Sequence, residues 1–179
     1  MPPQALDACG FALLEALVAV AILAVLAAIA MPSFREISEK LKVRSTVDAL
    51  TTSIYFARAE AFRRGGHVTL ARVVSNECIE PEKGSGEWGC GWIVFADDDD
   101  NRVRAASEEI LQATPAQSGL RVRQTRGSAA LNGSPLGVFS SGGLGFIVSS
   151  RTVKGVTTAI CISSGGRIRA LPGLDDCPD

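Results

Sequence analysis

The sequence has few of the residues and motifs that enzymes use. It contains a single histidine, His67, which follows a Gly-Gly pair, and a lone surface histidine usually has no catalytic role. It contains no Gly-x-Ser-x-Gly elbow, no Walker loop and no Cys-His zinc spacing. Cys78 and Cys90 are too far apart for a zinc knuckle, and no histidine supports them. We therefore expect a protein that is not an enzyme and that carries no metal or cofactor.

One acidic segment, Ala-Asp-Asp-Asp-Asp-Asn, has part of the spacing of a calcium-binding loop. Positions 1, 3, 5 and 12 of such a loop are occupied by Asp97, Asp99, Asn101 and Glu108. Position six is Arg102, however, where an EF-hand loop requires glycine for its sharp turn. The pattern therefore favours a solvated acidic turn between two strands over a calcium site.

The chain also has little net charge, because its 18 basic and 19 acidic residues give −1 at neutral pH. This balance does not by itself indicate a nucleic-acid-binding protein, but the charges are unevenly distributed. Residues 77–100 contain eight acidic residues and one lysine, whereas residues 101–170 contain nine basic and two acidic residues. The nine basic residues are Arg102, Arg104, Arg121, Arg123, Arg126, Arg151, Lys154, Arg167 and Arg169. The neutrality of the whole chain thus conceals a basic region.

Charge is almost absent from residues 11–31, where Glu15 is the only charged residue. As a helix with a rise of about 1.5 Å per residue, this segment spans roughly 30 Å, the thickness of the hydrocarbon core of a bilayer. Its flanks do not match a secretory signal peptide, because no lysine or arginine precedes it and a helical pattern follows it. We expect a membrane-spanning helix, and a plain single-pass anchor is an alternative to any more specific role.

Glu15 lies near the start of this apolar helix. A carboxylate in lipid is costly unless a partner neutralises it, so an ionisable residue within a membrane segment is interpreted as functional. An α-amino group is a suitable partner, because it is cationic below a pKa of about 8.

The residues around Glu15, Gly-Phe-Ala-Leu-Leu-Glu at 10–15, resemble the prepilin motif of type IV pilins, with Ala12 in place of the usual threonine. The resemblance implies that prepilin peptidase cleaves between Gly10 and Phe11 on the cytoplasmic side of the membrane. It implies that the same enzyme then methylates the new amino group of Phe11. It further implies that Glu15 pairs with this amine of a neighbouring subunit during filament assembly. The leader departs from the usual pattern, since it contains no basic residue.

Removal of the leader would also remove Cys9 and leave four cysteines. An even number predicts two disulfides in an oxidising periplasm, and four cysteines allow three pairings. The expected pairs are those closest in sequence, Cys78–Cys90 and Cys161–Cys177. Each would close a loop of fewer than about 20 residues and contribute about 3 kcal/mol in the loop-entropy model.

The remainder of the chain predicts an α+β fold, the type IV pilin fold, in which a long N-terminal helix packs on an antiparallel β-sheet head. Pro32 should bend the helix at the membrane boundary, and Gly65–Gly66 should end it. Between them, apolar residues recur every three or four positions and form one stripe of an amphipathic helix. The stripe consists of Phe34, Ile37, Leu41, Val43, Val47, Leu50, Ile54, Ala57 and Ala61.

Short strands separated by glycine and serine follow the helix. They are predicted at residues 67–74, 91–97, 108–114, 120–126, 136–140, 145–150, 156–163 and 167–171. We therefore divide the chain into a leader at 1–10, the transmembrane half of the helix at 11–31, its amphipathic half at 32–66, and a β-rich periplasmic head at 67–179.

Three further segments narrow the resemblance. A helix ending in Ala-Arg-Ala-Glu-Ala-Phe-Arg-Arg-Gly, a Gly-Trp-Ile-Val-Phe-Ala-Asp strand and a C-terminal Gly-Arg-Ile-Arg resemble the FimT/GspH family of type IV minor pilins and type II secretion pseudopilins. FimT is linked to type IV pili and DNA uptake, and GspH is a minor pseudopilin of type II secretion. Both are filament components without enzymatic activity.

Arg167 and Arg169 are the residues that the resemblance associates with DNA binding, within the Gly-Arg-x-Arg motif that begins at Gly166. In an extended strand they point to the same face about 6.7 Å apart, roughly two steps along a nucleic-acid strand. Arg151 and Lys154 are expected to enlarge this site. Two other interpretations are open: the arginines pair with nearby aspartates, or they only solubilise an exposed strand. The nearby aspartates are Asp175 and Asp176.

These features favour a minor pilin of the FimT type that binds double-stranded DNA non-specifically during natural transformation. We expect it to lie in the bacterial inner membrane with a periplasmic C-terminal head, to be processed by prepilin peptidase, and to assemble with other pilins. The alternative is a GspH-type pseudopilin at the tip of the type II secretion system, without DNA binding. An unprocessed single-pass anchor is a third interpretation.

Overall fold

A computed structural model describes residues 13–74, 86–136, 138–139 and 144–178, with the side chains of residues 29–32 excepted. A single long helix, α1, runs from Leu13 to Arg64. It ends immediately before Gly65–Gly66, as predicted. By its contacts the chain divides into two compact units, Met1–Ile37 and Ser38–Asp179.

The first unit consists, in its described part, of the beginning of α1. Its apolar side chains from Leu13 to Leu26 are exposed, and Glu15 lies in the first turn. Among the described residues, no single helix is both long and apolar enough to cross a membrane. Two segments separated by a bend, Leu13–Ala28 and Ser33–Arg64, meet that criterion as a pair by length and composition. The bend falls where Pro32 was predicted to cause one.

The second unit contains eight strands in two antiparallel sheets, where the sequence predicted one sheet. The strands are β1 (Val68–Arg72), β2 (Trp92–Ala96), β3 (Ile110–Thr114), β4 (Leu120–Gln124), β5 (Ala130–Gly133), β6 (Leu144–Ser150), β7 (Thr157–Ile162) and β8 (Ile168–Pro172). The first sheet has the order β3-β2-β1-β5, and the second has the order β4-β6-β7-β8. In the second sheet, β8 is therefore an edge strand beside β7.

The apolar stripe of α1 packs into one core with residues of both sheets. Its buried members are Val43, Val47, Leu50, Ile54, Ala57 and Ala61. The first three residues of the predicted stripe do not belong to this core, because Phe34, Ile37 and Leu41 are between 56% and 73% exposed. The prediction of their burial was wrong, since periodicity alone does not show where along the helix the sheets begin to pack.

Polar contacts fix the helix against both sheets. The indole N–H of Trp92 in β2 donates a buried hydrogen bond to the Ser53 hydroxyl (2.9 Å). The Ser150 hydroxyl at the end of β6 donates to the Glu39 carboxylate (2.6 Å). Trp88 and Phe146 meet edge to face with ring centroids 5.0 Å apart, a favourable aromatic geometry.

Seven of the eight predicted strands overlap an observed strand. The exception is 136–140, where the described residues contribute only an isolated bridge between Phe139 and Gly133. The sequence missed β5, whose residues Ala-Leu-Asn-Gly have low strand propensity. Its pairing with β1, in the register Leu70↔Leu131, determines its conformation instead.

Candidate functional site

The β7–β8 hairpin positions the Gly-Arg-Ile-Arg motif. Ile162 pairs with Ile168, and the Ser163 amide donates to the Arg167 carbonyl (3.0 Å). Within the turn, the Gly166 amide donates to the Ser163 carbonyl (2.8 Å), and the Arg167 amide donates to the Ser163 hydroxyl oxygen (3.1 Å). The Ser-Ser-Gly-Gly segment thus forms a hydrogen-bonded turn rather than an irregular loop.

Gly166 is the buried residue of this turn, and its backbone φ of 78° lies in the left-handed region. The guanidinium of Arg58 on α1 donates a hydrogen bond to the Gly166 carbonyl. A Cβ atom at this position would lie 2.7 Å from Nη2 of Arg58. Glycine is therefore required both by the backbone conformation and by the close approach of the arginine.

Arg167 and Arg169 are both exposed, whereas Ile168 between them packs against the core. Within the described part of the chain, neither arginine side chain has an ion-pair or hydrogen-bond partner. The Asp176 carboxylate instead accepts a hydrogen bond from the Cys177 amide (2.9 Å). The pairing of these arginines with the tail aspartates, which the sequence left open, is not seen among the described residues.

The two arginines line a cleft of about 310 Å³ on the outer face of the second sheet. The Cys161–Cys177 disulfide forms another wall, and Cys161 lies directly opposite Arg169 across the β7–β8 pair. The cleft therefore combines two guanidinium groups with apolar surface, an arrangement suited to an anionic group on a larger ligand. The apolar side chains of the lining include those of Leu144, Ile162, Leu171 and Pro178.

The Cys161–Cys177 pairing predicted from sequence is thus present, with a Cα–Cα distance of 5.6 Å. Cys177 packs on Gly145 of β6, where a Cβ atom would lie 2.5 Å from its sulfur. The disulfide attaches the C-terminal segment to the sheet beside the arginines. Of the other predicted pair, Cys90 is disulfide-bonded and Cys78 lies outside the described residues.

Arg151 and Lys154 do not enlarge this site. They lie in the β6–β7 turn, which is at the opposite end of β7 from Arg167. β7 has six residues, so its two ends are five steps apart, a distance of about 17 Å at ~3.3 Å per step. The expectation that the four residues form one cluster was wrong, because the turns before and after a strand lie at its opposite ends. Arg151 instead donates to the Leu120 carbonyl (2.9 Å).

The N-terminal residues assigned to processing, Gly10 and Phe11, lie outside the described residues. Glu15 is exposed in the first turn of α1. The structure adds Arg58 to the candidate site. Arg58 belongs to the helix end that resembles the FimT/GspH family, but no sequence signal predicted its contact with the turn. It flanks the apolar stripe of α1 and lies 108 residues before the glycine that it binds.

The acidic loop after β2 differs from the solvated turn that the sequence favoured. Asp97 is fully buried and Glu108 is 6% exposed. The Thr69 hydroxyl donates a buried hydrogen bond to Asp97 (2.6 Å). Only the residues between these two carboxylates form an exposed turn.

Comparison with known proteins identifies two family models. The model described as type II transport protein GspH matches residues 46–169, and that of the prokaryotic N-terminal methylation motif matches residues 7–31. A comparison with curated protein sequences finds no match.

Two crystal structures of the type IV minor pilin FimU from Pseudomonas aeruginosa (strain PAO1) have a similar fold. In the P65 crystal form the match has a TM-score of 0.55 at 17% identity and covers 73% of this chain and 93% of FimU. In the P21 form it has a TM-score of 0.57 at 17% identity and covers 76% and 93%. The similarity extends to the fold and confirms the predicted α+β pilin architecture.

Proposed function

We propose that this chain, which belongs to the family of type II transport protein GspH, is a minor pilin whose Arg167–Arg169 cleft binds double-stranded DNA. Its N-terminal methylation motif supports assembly of the type IV pilin kind. In this role the head presents the cleft outside the inner membrane, and contact with DNA phosphates is independent of base sequence. The protein would act in DNA uptake as a filament component, without enzymatic activity.

Filament assembly rests on the first part of α1. Large apolar side chains such as Leu13, Leu17 and Leu23 are more than 60% exposed, so lipid or neighbouring subunits must cover them. Cleavage after Gly10 places the methylated amine of Phe11 close to Glu15 of an adjacent subunit. Each buried carboxylate is then neutralised by the next chain, which offsets the cost of a charge in the membrane.

DNA binding rests on one observation in particular: Arg167 and Arg169 are exposed, side by side, and without a carboxylate partner among the described residues. Both side chains face solvent from a turn that is itself held by Arg58 and by a disulfide. The backbone that carries the two guanidinium groups is therefore fixed, and the planar fork of each group matches the geometry of a phosphate. The resemblance of the motif to that of FimT supports the same ligand.

Two phosphate contacts give weak binding that is sensitive to salt. Arg123 is partly exposed in β4, and Arg126 is exposed just after it, but β6 and β7 lie between β4 and β8. We therefore restrict the proposed contact to the β7–β8 turn.

The alternative function is that of a minor pseudopilin in a type II secretion system. The description of the matching family model, type II transport protein GspH, favours it. In that role the same arginines would contact the acidic surface of another pseudopilin. The two functions share the fold and the membrane segment and differ only in the ligand of the head.

A measurement of DNA binding distinguishes the two proposed functions. Full-length protein in detergent is titrated with a fluorescent duplex at low salt, and the double variant Arg167→Ala/Arg169→Ala is compared with Arg151→Ala/Lys154→Ala. Both variants lose two positive charges, but only the first removes the cleft arginines. We expect at least about tenfold weaker binding for the first and little change for the second, since each phosphate contact contributes separately. Equal effects of the two variants, or no binding by the wild type, would exclude the proposed site.

A further inference from the structure

The loop between β2 and β3 brings three carboxylates together. Asp97 is fully buried, Glu108 is 6% exposed, and Asp99 is exposed. One carboxylate oxygen of each lies within 4.8 Å of those of the other two. Like charges at this separation repel strongly where water is excluded, so the arrangement requires compensation.

Hydrogen bonds supply only part of this compensation. One oxygen of Asp97, Oδ2, accepts from the Thr69 hydroxyl (2.6 Å) and from the Arg102 amide (3.1 Å). Its other oxygen, Oδ1, is buried and accepts no hydrogen bond from any described residue. Buried polar atoms in native proteins are nearly always partnered, so an orphan carboxylate oxygen within an acidic cluster points to a bound cation.

The positive side chains of the loop do not fill this role. Arg104 donates to the backbone carbonyl of Glu108 (3.0 Å) rather than to its carboxylate. The side chain of Arg102 is exposed, and only its amide contacts Asp97. Among the described residues, no lysine or arginine forms an ion pair with the three carboxylates.

The backbone conformation of Arg102 also removes the reason for which the sequence argued against a calcium loop. Arg102 occupies the position where an EF-hand requires glycine, yet its φ of 65° is the left-handed conformation for which glycine is used there. The loop therefore makes its turn in spite of the residue type. Calcium binds oxygen ligands at about 2.3–2.6 Å, so oxygens on opposite sides of the ion are about 4.6–5.2 Å apart. The observed spread of the three carboxylates is compatible with that distance.

We propose that Asp97, Asp99 and Glu108 bind one Ca²⁺ ion. Calcium is favoured over Mg²⁺ because the loop is irregular, whereas Mg²⁺ demands near-ideal octahedral geometry at about 2.0–2.1 Å. The ion would connect Asp97 and Asp99, at the start of the loop after β2, to Glu108 near the end of that loop. Through the Thr69 hydrogen bond to Asp97 it would also connect this loop to β1.

The test uses full-length protein in detergent after treatment with EDTA. Equilibrium dialysis with ⁴⁵Ca²⁺ measures stoichiometry and affinity, and thermal melting is followed with and without Ca²⁺. We expect one ion per chain and, at saturating Ca²⁺, a melting temperature raised by at least about 5 °C. Asp99→Asn should bind Ca²⁺ at least about tenfold more weakly, because affinity depends on the number of ligand charges.

Asp98→Asn is the matched control, since it removes an exposed charge from the same loop but not from the cluster. Asp97→Asn provides a second test. Without metal its melting temperature should be no lower than that of the wild type, because a repulsive buried charge is removed. Addition of Ca²⁺ should not change this melting temperature. Because Asp99 is exposed, its variant tests the site even if the Asp97 variant does not fold. Absence of Ca²⁺ binding, equal loss in Asp98→Asn and Asp99→Asn, or equal affinity for Mg²⁺ would overturn the proposal.

Discussion

Arg58 of the long helix donates a hydrogen bond to the backbone carbonyl of Gly166 in the β7–β8 turn, across 108 residues of sequence. This contact connects α1 to the turn that presents Arg167 and Arg169. The turn is thereby held by α1, and the Cys161–Cys177 disulfide holds the adjoining strand. Arg167 and Arg169 remain exposed to solvent.

The requirement for glycine at position 166 predicts a contrast between two adjacent substitutions. Gly166→Ala should destabilise the protein by about 1–2 kcal/mol, because φ is 78° and the new Cβ would lie 2.7 Å from Arg58. Gly165→Ala should have little effect, since nothing lies within 4 Å of a Cβ built there. Thermal melting of the two variants measures the difference. If both melt at the wild-type temperature, Arg58 does not constrain the turn.

Loss of the disulfide predicts a second change. The variant Cys161→Ser/Cys177→Ser should be less stable by about 3 kcal/mol, since the bond closes a loop with a sequence separation of 16. It should also bind DNA more weakly, because the C-terminal segment that forms one wall of the cleft is released. Melting and DNA titration are carried out on the same preparation. Unchanged DNA affinity in a variant of lowered stability would show that the disulfide serves the fold alone.

The sequence predicted most elements of this fold because hydrophobic periodicity and turn residues are local signals. Val47, Ile54 and Ala61 repeat at helical spacing, and the Gly65–Gly66 pair ends the helix where predicted. The predictions that failed depend on contacts between residues that are far apart in the sequence. The strand β5 has no propensity of its own and forms because β1 offers a partner.

The candidate site shows the same limit. The sequence identified Arg167 and Arg169 and their disulfide, but it grouped them with Arg151 at the other end of β7. It contained no sign of the Arg58 contact, which depends on how α1 packs against the second sheet. Burial of Asp97 was likewise invisible in a run of four aspartates, where composition indicates solvation.

The contact between α1 and β6 predicts an acid-dependent loss of stability. The hydrogen bond from Lys42, followed by that from the Ser150 hydroxyl, lowers the pKa of the Glu39 carboxyl below its ordinary value. The stabilising contribution of a group with a lowered pKa is present above its unfolded pKa of about 4.3 and is lost as the pH falls through its folded pKa.

Melting temperatures of wild type and Glu39→Gln should therefore differ near neutral pH and converge toward about pH 3. Asp175→Asn, which alters an exposed carboxylate, is the control and should follow the wild type. Parallel curves for the wild type and Glu39→Gln over the whole range would show that this carboxylate contributes no pH dependence.

Processing at the N-terminus is expected from the methylation motif. Mass spectrometry of protein extracted from membranes of a host with prepilin peptidase should show a chain that begins at methylated Phe11. Gly10→Val should leave the leader in place, because it replaces the glycine of the motif directly before the expected cleavage site. Glu15→Ala should be processed normally but fail to assemble, since the role proposed for Glu15 is the pairing with a neighbouring amine. A mature chain that begins at Met1 would contradict the assignment of the leader.

The most direct test of DNA binding by the cleft is its salt dependence. Affinity for a DNA duplex is measured over a series of salt concentrations for the wild type and for Arg167→Ala/Arg169→Ala. Loss of two phosphate contacts should reduce the slope of log K against log salt by about 1.8, because each contact contributes about 0.9. A double variant with the wild-type affinity and slope would contradict the assignment of Arg167 and Arg169 as the residues that bind DNA.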